Sequence, residues 1–366
     1  MRSSKLYGAV RLVIVLMLSV SFLSSVTPVR ALQTSVTDPV PTLAYYYIWF
    51  DSTSWRRAKT DYPLLGNYSS DDRTIMRQHI QWAKAAGIDG FIVSWKSTDV
   101  LNRRLNQLAE LAEEEDFKLV VIYQGLNFDR NPLPVERIAA DFDYFIRNFA
   151  NRPAFALFAK PLIIWSGTWE FSEQDIELVT QKRRESLLIL ATERNQGGYL
   201  RLAEIVDGNA YYWSSVNPET FPKYQEKLSG MGEAVHEHGG LWIPPAAPGF
   251  DARLVGGTSQ VERKDGDTFR VEINAAMGSS PDALGIISWN EFSENTHIEP
   301  SQKFGSQYLS ILSEINHMPP PQIGEFDSSE PVGEFSDPLS GSRVIALSSV
   351  AFIILAGFVV IARRRG

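Results

Sequence analysis

The apolar positions of this chain fall into short, nearly continuous runs separated by longer amphipathic stretches. Eight of these runs read as β-strands: Leu43–Phe50, Asp89–Trp95, Lys118–Gly125, Pro161–Ser166, Ser186–Thr192, Asp207–Trp213, Gly240–Pro245 and Ala283–Asn290. Several have no polar face, as strands covered on both sides should. The stretches between them carry helical signatures. Asp71 and Asp72 open one that runs to Ala86 and stops at Gly87, with a capping side chain in front and a residue tolerant of positive φ behind. Leu101–Glu115 and Pro134–Ala150 are similar. Strands that alternate with helices make a parallel sheet. The pattern predicts an α/β fold, a (β/α)8 TIM barrel forming a single catalytic domain over residues 32–317, with an open doubly wound sheet as the competing arrangement.

The two ends follow other rules. Arg2, Lys5 and Arg11 surround the start of an apolar run, Leu12–Phe22, that is too short to span a bilayer comfortably. With the small-residue site at Val29-Arg30-Ala31, residues 1–31 read as a signal peptide, or as an uncleaved signal anchor. Residues 344–362 are uncharged and long enough to cross a membrane, and the basic tail 363–366 is expected to stay on the cytoplasmic side. A single-pass cell-membrane protein with its catalytic domain outside is the expectation; a sorting signal that is later removed is the alternative. Residues 318–343 hold Pro319, Pro320, Pro321, Pro331 and Pro338 among Ser and acidic residues. They bury too little apolar surface to fold and read as a disordered stalk.

Composition narrows the function. A net charge of −8 lacks the basic stripe that a nucleic-acid surface needs. With no Cys, disulfides and thiolate metal sites are excluded. Only five His are present, so neither a metal nor another cofactor is expected, although His297 and Glu299 lie close in sequence.

Candidate chemistry lies at the strand ends. Trp49, Trp95, Trp165, Trp213 and Trp289 each close a run, and in a barrel the active site lies at the carboxyl ends of the strands. Aromatic faces at such a mouth suit the flat apolar faces of sugars. Beyond the last run stand Glu291 and Glu294, at a spacing that lets both face one pocket if the chain turns. Glycosidic cleavage requires two carboxyl groups. Each also raises the other's pKa, which keeps one protonated as an acid.

Several segments together resemble glycoside hydrolase family 99, the endo-α-1,2-mannosidases and mannanases. These are Tyr45-Tyr46-Tyr47-Ile48-Trp49-Phe50, the Gly66-Asn67-Tyr68-Ser69-Ser70-Asp71-Asp72 segment, Ala86–Trp95, Pro248-Gly249-Phe250-Asp251 and Trp289–Pro300. Their order and spacing resemble the family's from about residue 42 to residue 312. The resemblance implies a (β/α)8 barrel, retention of configuration, and no enzymic nucleophile. Glu291 would take the proton of the substrate's own 2-hydroxyl, which closes a 1,2-anhydro sugar. Glu294 would protonate the leaving oxygen and then activate water. Tyr46 or Tyr47 would lie near the reacting sugar, with Trp49, Trp95, Tyr212, Trp289 and Asn290 as further substrate contacts. Phe292, Ser293 and Asn295 depart from the family's Trp, His and Gly, which bears on substrate preference. The expected partner is an oligo- or polysaccharide. A polysaccharide-building transglycosidase and a non-catalytic glycan binder are the alternative functions.

Overall fold

A computed structural model describes residues 39–56 and 59–324. The segments read as signal peptide, membrane helix and basic tail, and most of the stalk, lie outside the described residues. Among the described residues no helix is long and apolar enough to cross a membrane.

The strands are β1 Thr42–Tyr47, β2 Gly90–Trp95, β3 Lys118–Gln124, β4 Leu162–Ser166, β5 Leu188–Leu190, β6 Gly208–Ala210, β7 Leu241–Ile243, β8 Pro245–Ala246, β9 Phe250–Asp251, β10 Gln260–Val261 and β11 Leu284–Ile286. The helices longer than a single turn are α1 Arg73–Ala85, α2 Asp99–Glu114, α3 Val135–Asn148, α4 Glu173–Thr180, α5 Gln196–Leu200, α6 Tyr224–Glu237, α7 Asp267–Met277 and α8 Gln307–Ile315. The Asp72 carboxylate caps α1 by accepting from the amides of Thr74 and Ile75, and Gly87 ends that helix at φ 81°.

Seven strands form one sheet in the order β5-β4-β3-β2-β1-β11-β8, and each of its pairings is parallel. β6 and β7 pair separately, also in parallel, and a bridge between Ala191 and Asn209 joins the end of β5 to β6. The run expected as one seventh strand is split at Pro244 into β7 and β8. Proline offers no N–H to a ladder, so pairing there rests on its carbonyl alone. The amide of Gly285 accordingly donates to the Pro244 carbonyl at 2.9 Å. The result is a curled parallel α/β sheet with helices on its outer face.

Strand parity sorts the core into two layers. Leu43, Tyr45, Ile92, Ile122 and Ile164 belong to a cluster without any helical residue, so they line the concave face. Ala44, Tyr46, Phe91, Val93, Trp95 and Trp165 belong to the cluster shared with the helices, on the convex face. Successive side chains of a strand point to opposite faces, so each strand feeds both layers.

This parity corrects the expected ring of tryptophans. Trp95, Trp165 and Trp289 are fully buried, and all three pack in the helix-facing layer. The Trp95 indole donates to Asn102 of α2 at 3.0 Å and its ring meets Phe145 and Phe149. A tryptophan that closes a strand faces the pocket only if its parity is that of the inner layer; in β2 that parity belongs to Ser94. Burying such a ring contributes roughly 4 kcal/mol of gross hydrophobic stabilisation, so these residues hold helices to the sheet.

Candidate active site

The floor of the site is polar. At the carboxyl ends of β2 and β3 the concave face carries Ser94 and Gln124, with the Gln124 amide donating to the Ser94 hydroxyl at 3.2 Å. Tyr47 at the end of β1 and Tyr212 beyond β6 reach each other across the curl, their hydroxyls 2.5 Å apart. β1 and β6 are not neighbours in the sheet, so this contact marks a pocket enclosed by the curvature.

Glu291 and Glu294 stand on the segment beyond β11. The chain turns at Phe292–Asn295, and Asn295 closes the turn at φ 54°. Asparagine is one of the few residues besides glycine that tolerates this left-handed region. The turn is held from several sides. The Glu291 amide donates to the Ser288 hydroxyl at 2.9 Å, the Asp251 amide donates to the Glu294 carbonyl at 2.8 Å, and Arg263 donates to the carbonyls of Asn295 and His297. Phe292 stacks on the His297 ring at 4.0 Å and packs in a buried aromatic cluster with Trp55 and Tyr68.

Both carboxyl groups are buried. Removal from water raises the pKa of Glu291 to about 7, against the opposing pull of the Ser293 amide, which donates to its Oε1 at 2.9 Å, and of the Lys59 charge. Burial also raises Glu294, and the neighbouring Glu291 charge raises it further, while Arg130 draws it down. Burial lifts the Tyr47 and Tyr212 hydroxyls well above their ordinary range, and both carboxylates add to that lift. The two carboxyl groups are therefore within electrostatic reach of the Tyr47–Tyr212 hydroxyl pair.

The other expected contacts divide. Trp49 is half-buried at the rim, its ring 4.2 Å from that of Tyr47. Tyr46 faces the helices, where its hydroxyl meets His79 Nδ1 at 3.0 Å and its ring stacks on Phe91. Asn290 is turned to its own chain: Oδ1 accepts from the Tyr47 amide at 2.8 Å, and Nδ2 donates to the Tyr47 carbonyl at 3.1 Å and to the Tyr68 hydroxyl at 3.2 Å. It positions Tyr47. Trp95 and Trp289 lie behind the sheet, as described above.

Conserving this geometry is a buried network that joins distant stretches of sequence. Glu299 Oε2 accepts from the Tyr68 hydroxyl at 2.8 Å, and Oε1 lies 3.1 Å from His79 Nε2. His297 meets Asp61 at 3.0 Å. His297 and Glu299 are thus engaged with different partners. Ser70 exchanges hydrogen bonds with Phe50, and Arg104 clamps Asp71 while donating to the Ile48 carbonyl, which ties the Tyr68–Asp72 segment to the end of β1. Lys59 and Arg130 were not singled out from the sequence, and Ser293 was noted only as a departure from the family's residue. Arg130 had a signal, its place in the turn after the third strand.

Two buried carboxyl groups in one pocket, at the carboxyl edge of a parallel sheet, are the equipment of a glycoside hydrolase. The chain belongs to glycosyl hydrolase family 99, whose profile matches residues 51–313. It is similar to the glycoprotein endo-alpha-1,2-mannosidase of Rattus norvegicus, 22% identical over 279 residues that cover 68% of this chain and 59% of the relative. The endo-alpha-1,2-mannosidase-like protein of Danio rerio is 24% identical over 282 residues, 69% of this chain and 62% of the relative. The chain thus spans about six-tenths of the length of these relatives. Its fold is that of the family 99 endo-alpha-mannosidase of Bacteroides thetaiotaomicron, with a TM-score of 0.67 at 20% identity over 77% of this chain and 98% of that one.

Proposed function

We propose that this chain is a retaining, endo-acting glycoside hydrolase that cleaves α-mannosides or related α-linked glycans. The observation that carries the reading is the burial of both Glu291 and Glu294 on the turn beyond β11, within electrostatic reach of the Tyr47–Tyr212 hydroxyl pair. Glu291, with a pKa near neutrality, takes the proton of the substrate's 2-hydroxyl as that oxygen attacks C1 and the glycosidic bond breaks. The product of this step is a 1,2-anhydro sugar. Glu294, held protonated by burial and by its neighbour, gives its proton to the departing oxygen. It then takes a proton from water, which opens the anhydro ring at C1 while Glu291 returns a proton to O2. Two inversions at C1 give net retention. Tyr47 and Tyr212 remain neutral and offer hydroxyl protons to the sugar or to the carboxylates. The curl is taken to close as a (β/α)8 barrel, supported by the Ala191–Asn209 bridge and by the direct passage of β7 into β8. The hydrophobic ends of the sequence support an extracytoplasmic body tethered through residues 344–362.

The test is incubation of the protein with α-linked manno- and gluco-oligosaccharides in heavy-oxygen water, with mass spectrometry of the products. Endo-cleavage with one heavy oxygen per cut is expected. Transfer to sugar acceptors in place of label uptake would identify a transglycosidase, and binding without product a glycan binder.

Two further outcomes are expected. A base must be ionised and an acid protonated, so kcat/KM should rise with pH through the lower pKa of the pair and fall through the higher. Since burial raises Glu291 to about 7, the acid limb should lie near neutrality, well above the ordinary carboxylate range. An acid limb near pH 4 would contradict this assignment. Removing the Tyr47 hydroxyl in Tyr47→Phe should lower kcat/KM about tenfold, the worth of one pocket hydrogen bond, with little change in melting temperature. An unchanged rate would remove Tyr47 from the machinery.

A further inference from the structure

The mouth of the pocket is asymmetric in charge, and this has a bearing on the substrate if the site is the α-glycan site proposed above. Glu291 and Glu294 stand beyond β11, and Tyr47 ends β1. The loops beyond β3 and β5 bring Arg130 and Arg194 to the same end of the sheet. Arg130 sits in a tight turn held by its own bonds: its amide donates to the Asn127 carbonyl at 3.1 Å, and the Asn127 side chain accepts from the amides of Asp129 and Asn131. Its backbone is at φ 63°, in the left-handed region that a long side chain rarely adopts. Such strain gathers where a side chain must be aimed. Arg194 lies flat, its guanidinium 4.0 Å from the Trp169 ring and 5.4 Å from that of Trp213.

Each guanidinium has one buried nitrogen left unsatisfied. Arg130 Nη2 and Arg194 Nε are buried without a hydrogen-bond partner, and neither residue makes an ion pair among the described residues. Elsewhere arginines grip carboxylates: Arg104 holds Asp71, Arg152 holds Glu113 and Arg183 holds Asp143. The nearby Glu193 is taken by Arg201 at 3.2 Å, and the exposed Glu170 carboxylate is within electrostatic reach of both guanidinium groups but pairs with neither. Burial disfavours the charge of both, Arg194 adds to this at Arg130, and Glu294 and Glu170 act on Arg130 in the opposite sense. Two half-buried cations without an ion pair, one of them within electrostatic reach of Glu294, are costly unless an anion joins them.

We propose that Arg130 and Arg194 form a subsite for an oxyanion carried on the glycan chain, a carboxylate, sulfate or phosphate group on a sugar next to the scissile bond. Planar guanidinium forks match the paired oxygens of such groups, and the aromatic backing keeps Arg194 oriented. The substrate class is therefore an acidic α-glycan.

Calorimetric titration of the full chain tests this, with neutral α-1,2-mannobiose and with the same disaccharide carrying a carboxylate, a sulfate or a phosphate at C6 of the non-reducing sugar. At least one charged form should bind about tenfold tighter than the neutral one, the worth of one charge-assisted hydrogen bond. The advantage should shrink as salt rises. It should fall toward unity in the Arg130→Gln, Arg194→Gln double variant and survive in part in Arg194→Lys, which keeps the charge but not the fork. Which form binds best identifies the oxyanion. Equal binding of charged and neutral sugars by the unmodified protein overturns the proposal whatever the variants do, as does an advantage that is indifferent to salt. Cleavage of neutral α-mannosides without any anionic preference would remove this subsite and leave the hydrolase reading intact. Anion-dependent binding without cleavage would do the reverse.

Discussion

Replacing Glu294 by Gln should reduce kcat/KM on a cleaved α-mannoside by about a thousandfold, within the range that general acid–base catalysis contributes, while the protein still folds and binds sugar. The argument begins with burial. Glu294 is enclosed with a second carboxylate, so its proton is held when an ordinary glutamate would have lost it. A poor leaving group, a sugar oxygen, needs that proton at the moment of departure. Gln preserves the shape and one amide oxygen but has no acidic proton to give, so the loss falls on kcat. Stability supplies the control. A carboxyl whose folded pKa is raised binds its proton more tightly folded than unfolded. Its contribution is therefore most favourable below the unfolded value and is lost as pH rises through the folded one. A glutamine side chain does not titrate and has no such dependence, so the melting temperature of Glu294→Gln should equal or exceed that of the unmodified protein at neutral pH. A variant that is inactive because it is unfolded would show the opposite. A folded variant with undiminished turnover would remove Glu294 from catalysis.

The second large effect is expected behind the pocket. Glu299→Ala should destabilise the protein by about 3–5 kcal/mol, the cost of breaking a buried, fully hydrogen-bonded carboxylate pair. That corresponds to a melting temperature lower by roughly 10 °C for a domain of this size. Glu299 is buried and accepts from Tyr68 while facing His79. Truncation leaves the Tyr68 hydroxyl proton and His79 Nε2 facing a buried cavity without the acceptor each had. The damage should travel forward, because Tyr68 also receives the Asn290 side chain, and Asn290 fixes the backbone of Tyr47. Turnover should thus fall in Glu299→Ala even below its melting range, with Glu299→Gln recovering part of both properties. Thermal unfolding with a parallel rate measurement decides this. A variant as stable as the unmodified protein would show that the network does not carry the wall of the site.

Much of this was legible in the sequence because the hydrophobic pattern and the chemistry coincide. Long apolar runs gave the strands of the parallel sheet, since a strand covered on both faces cannot alternate. Asp72 and Gly87 marked the ends of α1 through capping chemistry that is local to the chain. The carboxyl pair was visible because it follows the last strand, where a parallel sheet presents its site. What was misread depended on direction in space. Trp95 and Trp289 end apolar runs just as a pocket-lining residue would, yet they face the helices, and only the register of each strand against the inner layer distinguishes the two. Tyr46 and Tyr47 are neighbours in sequence and lie on opposite faces of the sheet. Asn290 is polar and adjacent to Glu291, but its hydrogen bonds are spent on Tyr47, a pairing between positions at opposite ends of the domain that no local pattern records. Arg130 escaped notice because its weight comes from what is missing around it.

The most direct test of the central claim is the anomeric configuration of the first product, followed by NMR during cleavage of an α-1,2-linked mannotriose by the unmodified protein. Participation by the 2-hydroxyl, with Glu291 as base and Glu294 as acid, predicts that the α-anomer appears first and that the β-anomer accumulates only as fast as mutarotation allows. Initial formation of the β-anomer would mean a single inverting displacement by water, and would contradict the roles assigned to both carboxyl groups.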